Sequence, residues 1–346
     1  MKGKLEVKRK RVTIRDVAKS AGVSHQTVSR VINGRDDVSP ETRDLVKKTI
    51  KSLGYLPNAS ARSLAAGRTN TLACIAPNLV DFTFAALIEG AELMARQHGY
   101  FLMAASAPDA RDFRKVLNQL YESSRIDGVL VINPFIDERT VYLPKDFPTV
   151  FIGDVSKNEE IGWVALDDVK AGYMAAKHLL DLGHRDILCI TGLQNEACTK
   201  DRNQGIFQAF AEYGVPLDSE KIINGDWAAT SAYQAVESAL KNNMKFTAVL
   251  AENDRMAIGA MRAFRDAGFS VPDQYSVIGI DDMPLASYFD PPLTTIQQNV
   301  TEIGKEAAEM LIQKIAQPEL KGQSSRFSVQ LIQRKSTAPI AGNGGD

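Results

Sequence analysis

Two sets of polar side chains in this sequence are of types that recognise other molecules. The first is a trio, His25, Gln26 and Arg30, spaced so that one face of a short helix would carry all three. Glutamine pairs with adenine and arginine with guanine through two hydrogen bonds in the major groove of DNA. A helix that exposes this trio could therefore contact base edges.

The second set follows the ends of predicted strands in the rest of the chain, and Arg202 opens a helix close after one of them. Carboxylates and amides bind hydroxyls by paired hydrogen bonds, while an indole covers an apolar C–H face, so the set suits a polyhydroxylated ligand. Each residue alone is more often a cap or a turn residue, so the prediction rests on their recurrence. The set is Asn78, Asp81, Asp154, Thr191, Gly192, Asp226, Trp227, Asn253, Asp254, Asp281 and Asp282.

Three short helices are predicted around the first trio. Thr13 with Asp16 three residues later is typical of a helix start, and Gly22 ends that helix. Ser24 caps a second helix that runs from His25 to about Asn33. Two short helices joined by a tight glycine turn predict a helix-turn-helix, whereas the alternative is a plain three-helix bundle with a solvated polar face.

The third helix begins at Ser39-Pro40-Glu41, which supplies a cap, a first-turn proline and an acidic first turn. It ends at Gly54, and its apolar positions are Leu45, Val46, Ile50 and Leu53.

Charge favours DNA binding over the plain bundle. The 346 residues carry 41 Lys and Arg against 42 Asp and Glu, a net charge of −1. Residues 1–68 hold 16 basic and 6 acidic residues, a net charge of +10, which leaves −11 for the remainder. A basic segment of this kind suits phosphate neutralisation.

A further short helix is encoded at 59–66, between Asn58 as a cap and Gly67 as a terminator. It is too short to be stable alone. Either it is a flexible linker, or it forms only on DNA, where Leu64 would wedge between base steps in the minor groove.

From Thr71 onward, apolar runs alternate with amphipathic stretches, which predicts parallel sheets covered by helices on both faces, in two lobes. The predicted strands are 72–76, 101–105, 128–132, 149–152, 187–190, 221–223, 248–250 and 277–280. The predicted helices are 85–97, 112–123, 169–182, 203–213, 231–241, 255–267 and 302–315.

Several classes are disfavoured. The sequence has no P-loop, no nucleophile-elbow or zinc-protease motif, and no dinucleotide fingerprint, so we expect neither an enzyme nor a cofactor. Cys74, Cys189 and Cys198 fit neither a disulfide framework nor a metal cluster, and no metal is expected. No long apolar run or secretory signal is present, which predicts a cytoplasmic protein.

The N-terminal motifs resemble those of the lactose/galactose repressor family of bacterial transcriptional regulators. They include Val12-Thr13-Ile14-Arg15-Asp16-Val17-Ala18, Ala21-Gly22-Val23-Ser24, Thr27-Val28-Ser29-Arg30-Val31-Ile32-Asn33, Leu53-Gly54-Tyr55 and Arg62-Ser63-Leu64-Ala65. The resemblance implies that His25, Gln26 and Arg30 face bases and that Leu64 is the hinge-helix wedge of a pseudo-palindromic operator site. It implies backbone contacts or helix positioning by Thr13, Ser24, Thr27, Ser29, Asn33, Ser39, Thr42, Tyr55 and Asn58.

The rest of the chain is similar to the regulatory core of the same family and to periplasmic sugar-binding proteins, through Asp201-Arg202-Asn203-Gln204-Gly205, Gly225-Asp226-Trp227, residues 252–260 and Pro292-Leu293-Thr294-Thr295-Ile296. Asp154 aligns with an effector-contacting acid when a gap is placed near Gly153. The resemblance implies a homodimeric repressor that binds double-stranded operator DNA and a small-molecule effector, a sugar or sugar derivative, between two lobes. The implied effector contacts are Asp81, Phe84, Asp154, Arg202, Trp227, Asn253 and Asp281.

Three alternatives stay open: a nucleobase-responsive regulator of the same family, a cytoplasmic sugar-binding module, and an α/β enzyme with an unrecognised site. The expected fold is α/β, with an all-α helix-turn-helix headpiece and hinge helix before a two-lobed core of parallel sheets like that of periplasmic binding proteins. The expected divisions are a basic disordered tail at 1–10, the DNA-binding domain at 11–57, the hinge and linker at 58–69, the core at 70–340 and a disordered tail at 341–346. Within the core, one lobe takes about 70–167 and 298–327, and the other takes about 168–297 and 328–340.

Overall fold

The computed structural model describes residues 12–55, 68–137, 139–153 and 159–340. The chain divides between Thr69 and Asn70 into a small helical unit and a larger α/β unit. The predicted tails, the predicted helix at 59–66 with Asn58 and Leu64, and Asp154 lie outside the described residues. The domain limits proposed from the sequence stay a prediction.

The helical unit contains α1 (Ile14–Ala21), α2 (His25–Ile32) and α3 (Pro40–Leu53). Each begins at the predicted cap: the Thr13 hydroxyl accepts a hydrogen bond from the Asp16 amide, and Ser24 and Ser39 accept from the amides of Thr27 and Thr42. Gly22 and Gly54 end α1 and α3 in the left-handed conformation that glycine adopts without strain.

The core of this unit is small and mostly aliphatic. Its buried members are Val17, Ala18, Ala21, Val28, Val31, Val46 and Tyr55. The prediction that Leu45 faces this core is wrong, because 48% of the residue is exposed and Thr49 is buried instead. Leu45 and Val46 are adjacent and point about 100° apart around the helix, so both cannot face the same core.

The α/β unit contains two six-stranded sheets. In chain order its elements are β1 (Thr71–Ala76), α4 (Phe82–Gln97), β2 (Phe101–Ser106), α5 (Ala110–Glu122), β3 (Gly128–Ile132), β4 (Thr149–Ile152), β5 (Gly162–Leu166), α6 (Asp168–Asp181), β6 (Ile187–Thr191), α7 (Ala197–Glu212), β7 (Ile222–Asn224), α8 (Ala229–Lys241), β8 (Ala248–Ala251), α9 (Asp254–Asp266), β9 (Ser276–Asp281), β10 (Thr294–Gln297), α10 (Val300–Ala316), β11 (Ser324–Phe327) and β12 (Gln330–Ile332). Short 3₁₀ turns lie at Arg139–Tyr142, Ser219–Lys221 and Pro284–Tyr288.

The first sheet has the order β11-β5-β4-β3-β1-β2, and all of its pairs are parallel. Helices α4 and α10 cover one face and α5 covers the other. Alternate β1 residues face these two layers, with Leu72 and Cys74 towards α4 and α10 and Ala73 and Ile75 towards α5. We call this body the first lobe.

The second sheet has the order β12-β10-β9-β8-β6-β7, and only the β10–β12 pair is antiparallel. Helices α8 and α9 cover one face, while α6 and α7 cover the other. We call this body the second lobe. Both layered sheets have the doubly covered arrangement predicted from the sequence.

The chain passes between the lobes three times, at β5–α6, at β10–α10 and at β11–β12. Helix α10 therefore belongs to the first lobe by packing, through Ile303, Ala307 and Leu311, although it follows the main part of the second lobe in sequence. In the described part of the chain, no helix is long and apolar enough to cross a membrane.

Candidate DNA-binding surface and ligand cleft

Helix α2 presents the three predicted base-contacting side chains to solvent. His25, Gln26 and Arg30 are exposed, while Val28 and Val31 on the opposite side are buried. One guanidinium nitrogen of Arg30, Nη1, lies 3.4 Å from the Asp37 carboxylate. The helix thus combines a buried apolar face with a free polar face, as a recognition helix requires.

The other predicted DNA-contact residues that the structure describes stabilise the helical unit itself. Thr13, Ser24 and Ser39 act as helix caps, and the Asn33 amide donates to the Ser29 hydroxyl at 3.3 Å. Thr27 and Thr42 hydroxyls bond to those of Ser24 and Ser39, and Tyr55 is part of the core.

In the α/β unit, the predicted ligand-binding residues converge on one cavity of about 420 Å³. Its walls come from loops of both lobes, and we call it the cleft. The structure brings six of the seven predicted residues into its lining: Asp81, Phe84, Arg202, Trp227, Asn253 and Asp281. The seventh, Asp154, is outside the described residues.

Arg202 is the most firmly held of these side chains, with only 5% of the residue exposed. Its Nε donates to Asp168 Oδ1 at 2.8 Å, and its Nη1 donates to the backbone oxygen of Glu252. The second terminal nitrogen, Nη2, makes no hydrogen bond to a described residue. The guanidinium is therefore fixed in place with one nitrogen available to a ligand.

Trp227 lies against this guanidinium, with the Arg202 carbon Cζ 5.6 Å from its ring centroid. The indole nitrogen donates to Glu196 Oε2 at 2.8 Å. The indole also lies directly on the backbone of Gly192, where an added Cβ would come within 1.9 Å of Trp227 Cζ2. Glycine at 192 is thus required for this position of the ring.

Asn253 has a structural role beside its place in the lining. Its Oδ1 accepts from the Met256 amide at 2.8 Å and caps α9, and its Nδ2 donates to the Trp227 backbone oxygen at 3.1 Å. Asn253 therefore ties the start of α9 to the segment that carries the indole.

Asp281 ends β9 with a φ of 139°, a conformation that residues other than glycine rarely adopt. Its carboxylate accepts no hydrogen bond from a described residue. Burial, and after it the nearby Asp254 carboxyl, raises the pKa of Asp281 well above its ordinary value. The strained backbone thus directs an unsatisfied carboxyl into the cleft.

Glu252 lies fully buried behind the cleft. Its Oε2 accepts from the Gly192 amide at 2.7 Å, while Oε1 has no partner among the described residues. Burial raises the pKa of Glu252 to about 8, although the Gly192 hydrogen bond and Arg202 oppose the shift. Glu252 therefore holds a proton at neutral pH.

Contacts between described residues join the lobes at two places around the cleft, an ion pair and a pair of adjoining loops. Arg255, in the first turn of α9, forms an ion pair with Asp81, which caps α4. Phe135 and Glu196 form an antiparallel bridge, and the Ala197 amide donates to the Pro134 oxygen at 2.7 Å.

Several lining residues were not among the predicted ligand contacts. Glu196, Phe135 and Arg255 lie beyond the strand ends, in a bridging loop or in a first helical turn, so a search limited to strand ends does not find them. Each is close in sequence to another cleft residue, Phe135 to Pro134, Glu196 to Arg202 and Arg255 to Asn253, and this proximity could have indicated them. Conversely, Asp254 and Asp282 do not line the cleft: Asp254 accepts from Thr295 and the Met283 amide, and Asp282 binds Arg334 and Gln297.

A smaller cavity of about 90 Å³ shares Phe84, Cys198 and Arg202 with the cleft and is otherwise mostly apolar. Gln298 lines it with a buried side chain, and neither amide atom has a partner among the described residues. This amide is a further group that a ligand could satisfy. Within the described ranges, no group of His, Cys, Asp or Glu is arranged to hold a metal ion.

Comparison with known proteins gives two family matches. Residues 13–58 match the bacterial regulatory proteins of the lacI family, and residues 176–337 match the periplasmic binding protein-like domain. The chain is 34% identical over 332 residues to the HTH-type transcriptional repressor PurR of Mannheimia succiniciproducens, covering 95% of this chain and 99% of that protein.

Solved structures of related regulators match this chain over nearly its whole length. A Lac repressor dimer bound to operator and the anti-inducer ONPF has a TM-score of 0.87 and 29% identity, and covers 95% of this chain and 100% of its own. A complex of the transcriptional regulator CelR with cellobiose has a TM-score of 0.71 and 30% identity, with 94% and 100% covered. These matches confirm the predicted fold class. The chain belongs to the lacI family of bacterial regulatory proteins and is a DNA-binding transcriptional repressor, not an enzyme.

Proposed function

We propose that this repressor binds a pseudo-palindromic operator as a homodimer and is controlled by a sugar held in the cleft between its lobes. The observation that supports the effector site is the convergence of six predicted ligand residues on one cavity. Such a protein would work in the cytoplasm, where bacterial operators are found.

For the operator, we propose direct base contacts by His25, Gln26 and Arg30, which α2 exposes. Thr13, Ser24, Thr27, Ser29, Asn33, Ser39, Thr42, Tyr55 and Asn58 are proposed to contact phosphates or to position the helix. Leu64 is proposed as a wedge at the centre of the site, where two hinge helices would meet in the minor groove.

A dimer is supported by the outer edge of the first sheet. Strand β2 is the terminal strand there, and Phe101 and Met103 are exposed along it. An apolar sheet edge of this kind is a place for a second chain to pair. Two protomers would then place two recognition helices in successive major grooves, about one helical turn apart.

A sugar effector is supported by the chemistry of the lining. Trp227 offers an aromatic face, while Arg202 Nη2 and the Asp281 carboxylate offer hydrogen-bonding groups to hydroxyls. Asp81, Phe84, Asn253 and Asp154 complete the proposed contacts. A nucleobase is the alternative effector, because an arginine, a carboxylate and an aromatic ring can also hold a heterocycle.

Two experiments test the proposal. A thermal-shift screen over sugars, sugar phosphates and nucleobases identifies the effector class, since a ligand at 100 times its Kd stabilises by about 2.7 kcal/mol. A shift by nucleobases and by no sugar would overturn the sugar assignment. Selection of bound duplexes from a random library, followed by a salt titration, tests operator binding: a steep fall in log K with log salt is expected, and a flat response contradicts it.

A further inference from the structure

The cleft carries more acidic than basic groups. Four carboxylates and two guanidiniums line it: Asp81, Glu196, Asp226 and Asp281 against Arg202 and Arg255. Because a cavity walled by protein screens charge less than open water does, this imbalance acts directly on a bound molecule.

Both guanidiniums already have an acidic partner. Arg202 is paired with Asp168 at 2.8 Å, and Arg255 is paired with Asp81. Asp226 stabilises its own turn, because the Ser231 hydroxyl and the Ala228 amide bond to it and lower its pKa. Glu196 and Asp281 are the remaining lining acids, and neither forms an ion pair with a described residue.

Glu196 and Asp281 present unsatisfied oxygens to the cleft. Only 6% of Glu196 is exposed; its Oε2 accepts from Trp227 and Cys198, while its Oε1 accepts no hydrogen bond from a described residue. Asp281 accepts none at either oxygen. Both carboxyls line the same cavity as Trp227.

The same cavity is lined by three aromatic rings, those of Phe84, Phe135 and Trp227. Aromatic faces attract cations, and most strongly where water is excluded. Guanidiniums already lie over two of these rings, Arg139 over Phe135 and Arg202 over Trp227, so the rings mainly offer apolar surface to a sugar ring and the carboxyls carry the preference for a cation.

We propose that the effector is an amino sugar, whose ammonium group is held by Glu196 and Asp281 while its ring lies on Trp227. This inference rests on the proposed sugar effector and narrows its chemical class. An ammonium supplies a counter-charge that no described residue pairs with these two carboxyls, and it donates to oxygens that accept no hydrogen bond from the described part of the chain.

Ionisation of the two carboxyls is costly unless a cation lies beside them. Burial raises the pKa of both Glu196 and Asp281, because it disfavours the charged form. An ammonium beside them stabilises the ionised carboxylates. A neutral sugar offers no such stabilisation.

Isothermal titration of the full chain with matched sugars tests this preference. Glucosamine, galactosamine and mannosamine would each be compared at pH 6, where the amine is protonated, with the parent hexose and with the N-acetyl derivative, which keeps the ring and lacks the charge. We expect at least one amino sugar to bind about tenfold or more tighter than both of its neutral counterparts. Neutral sugars that bind equally or better overturn the amine assignment and leave the sugar effector standing. Binding by none of the nine overturns the amino-sugar assignment, and the thermal-shift screen then decides whether any other sugar binds.

Substitutions at the two carboxyls test whether the ammonium group binds there. Glu196→Gln and Asp281→Asn keep shape and remove charge, so each should bring the ratio of amine to neutral affinity towards one. Asp273→Asn, at an exposed acid outside the cleft, is the matched control and should leave the ratio unchanged. An unchanged ratio in both cleft variants would contradict the proposal.

Discussion

Arg255 and Asp81 form an ion pair that joins the two lobes across the ligand cleft. Asp81 also accepts from the Thr83 amide at 2.9 Å as the cap of α4, so its carboxylate is anchored in the first lobe. Arg255 is anchored in the second lobe by its place in the first turn of α9. Only 36% of the Arg255 side chain and 16% of the Asp81 side chain are exposed, which limits screening of the ion pair by water and salt. The pair therefore favours the arrangement in which the lobes are close.

Removing either charge should loosen the lobes. Asp81→Asn and Arg255→Gln should broaden the distance distribution between spin labels at positions 115 and 241, which lie on exposed parts of α5 and α8. The charge-swapped protein, Asp81→Arg with Arg255→Asp, should recover part of the narrow distribution. The measurement is double electron–electron resonance on the ligand-free protein.

The control for this experiment is Arg262→Gln, which breaks an ion pair within α9 and touches only one lobe. It should leave the distances unchanged. Identical distributions in all variants would show that the ion pair does not set the lobe arrangement.

The close contact of Trp227 with Gly192 predicts a specific cost of substitution. Gly192→Ala should destabilise the protein by about 1–3 kcal/mol, because the new methyl group overlaps the indole ring. Trp227→Phe removes the overlapping atoms, so the double variant should lose less than the sum of the two single variants. Urea unfolding of the four proteins measures this coupling, and strict additivity would argue against the contact.

Glu252 predicts a pH dependence of stability with a definite sign. Its pKa is raised from about 4.5 in the unfolded chain to about 8 in the folded protein, so the folded state holds the proton over that window. Stability contributed by this group is therefore present at low pH and lost as pH rises from about 4.5 to 8. Glu252→Gln keeps a neutral side chain and should not show this loss.

Urea unfolding between pH 5 and 8 checks this difference. The stability of the wild-type protein relative to Glu252→Gln should fall by about 1.4 kcal/mol for each pH unit. The facing groups Arg202, Asp168 and Glu196 are common to both proteins. The exposed Glu237→Gln serves as control, and a pH-independent difference for Glu252→Gln would refute the buried-acid interpretation.

On the helical unit, Arg30→Ala should weaken binding to the selected operator by about 1–3 kcal/mol, which is about fivefold to more than a hundredfold. The guanidinium is exposed, and among the described residues its ion pair is the surface contact to Asp37, so its loss should leave the fold intact. Fluorescence anisotropy with labelled duplex measures affinity. Arg96→Ala, at an exposed basic residue of α4, is the control, and equal effects of the two would count against base recognition by α2.

The strongest sequence signals came from long apolar runs and from helix caps. Strands β1, β3, β4, β6, β8 and β9 are buried through most of their length, and the sequence marks them as uninterrupted apolar segments. Strands β5, β10, β11 and β12 were not predicted. The last three are three or four residues long and contain polar positions such as Thr295, Arg326 and Gln330, and β5 is a five-residue strand that begins with a glycine. Their strand conformation depends on pairing with distant partners, which no local pattern records.

The absence of information on distant partners in local sequence patterns also explains which cleft residues were predicted and which were missed. Residues directly after strands, such as Trp227 and Asp281, were predicted because parallel strands end at one edge of a sheet. Gln298 was missed because β10, which it follows, was missed. The Arg255 partner of Asp81 is 174 residues away in sequence. Pairing at that separation depends on how the lobes meet, and single-sequence reasoning does not supply it.

Because α10 comes late in the chain, the first lobe cannot be completed until most of the protein has been synthesised. This lobe begins at β1, yet its core is filled by residues 300–316 and its far sheet edge by β11. A ribosome-bound chain that ends before residue 300 therefore exposes the apolar face of α4 and the sheet beneath it. The second lobe has most of its strands by then, so the later half of the chain can condense before the earlier half, and nascent chains would need protection from aggregation at the first lobe.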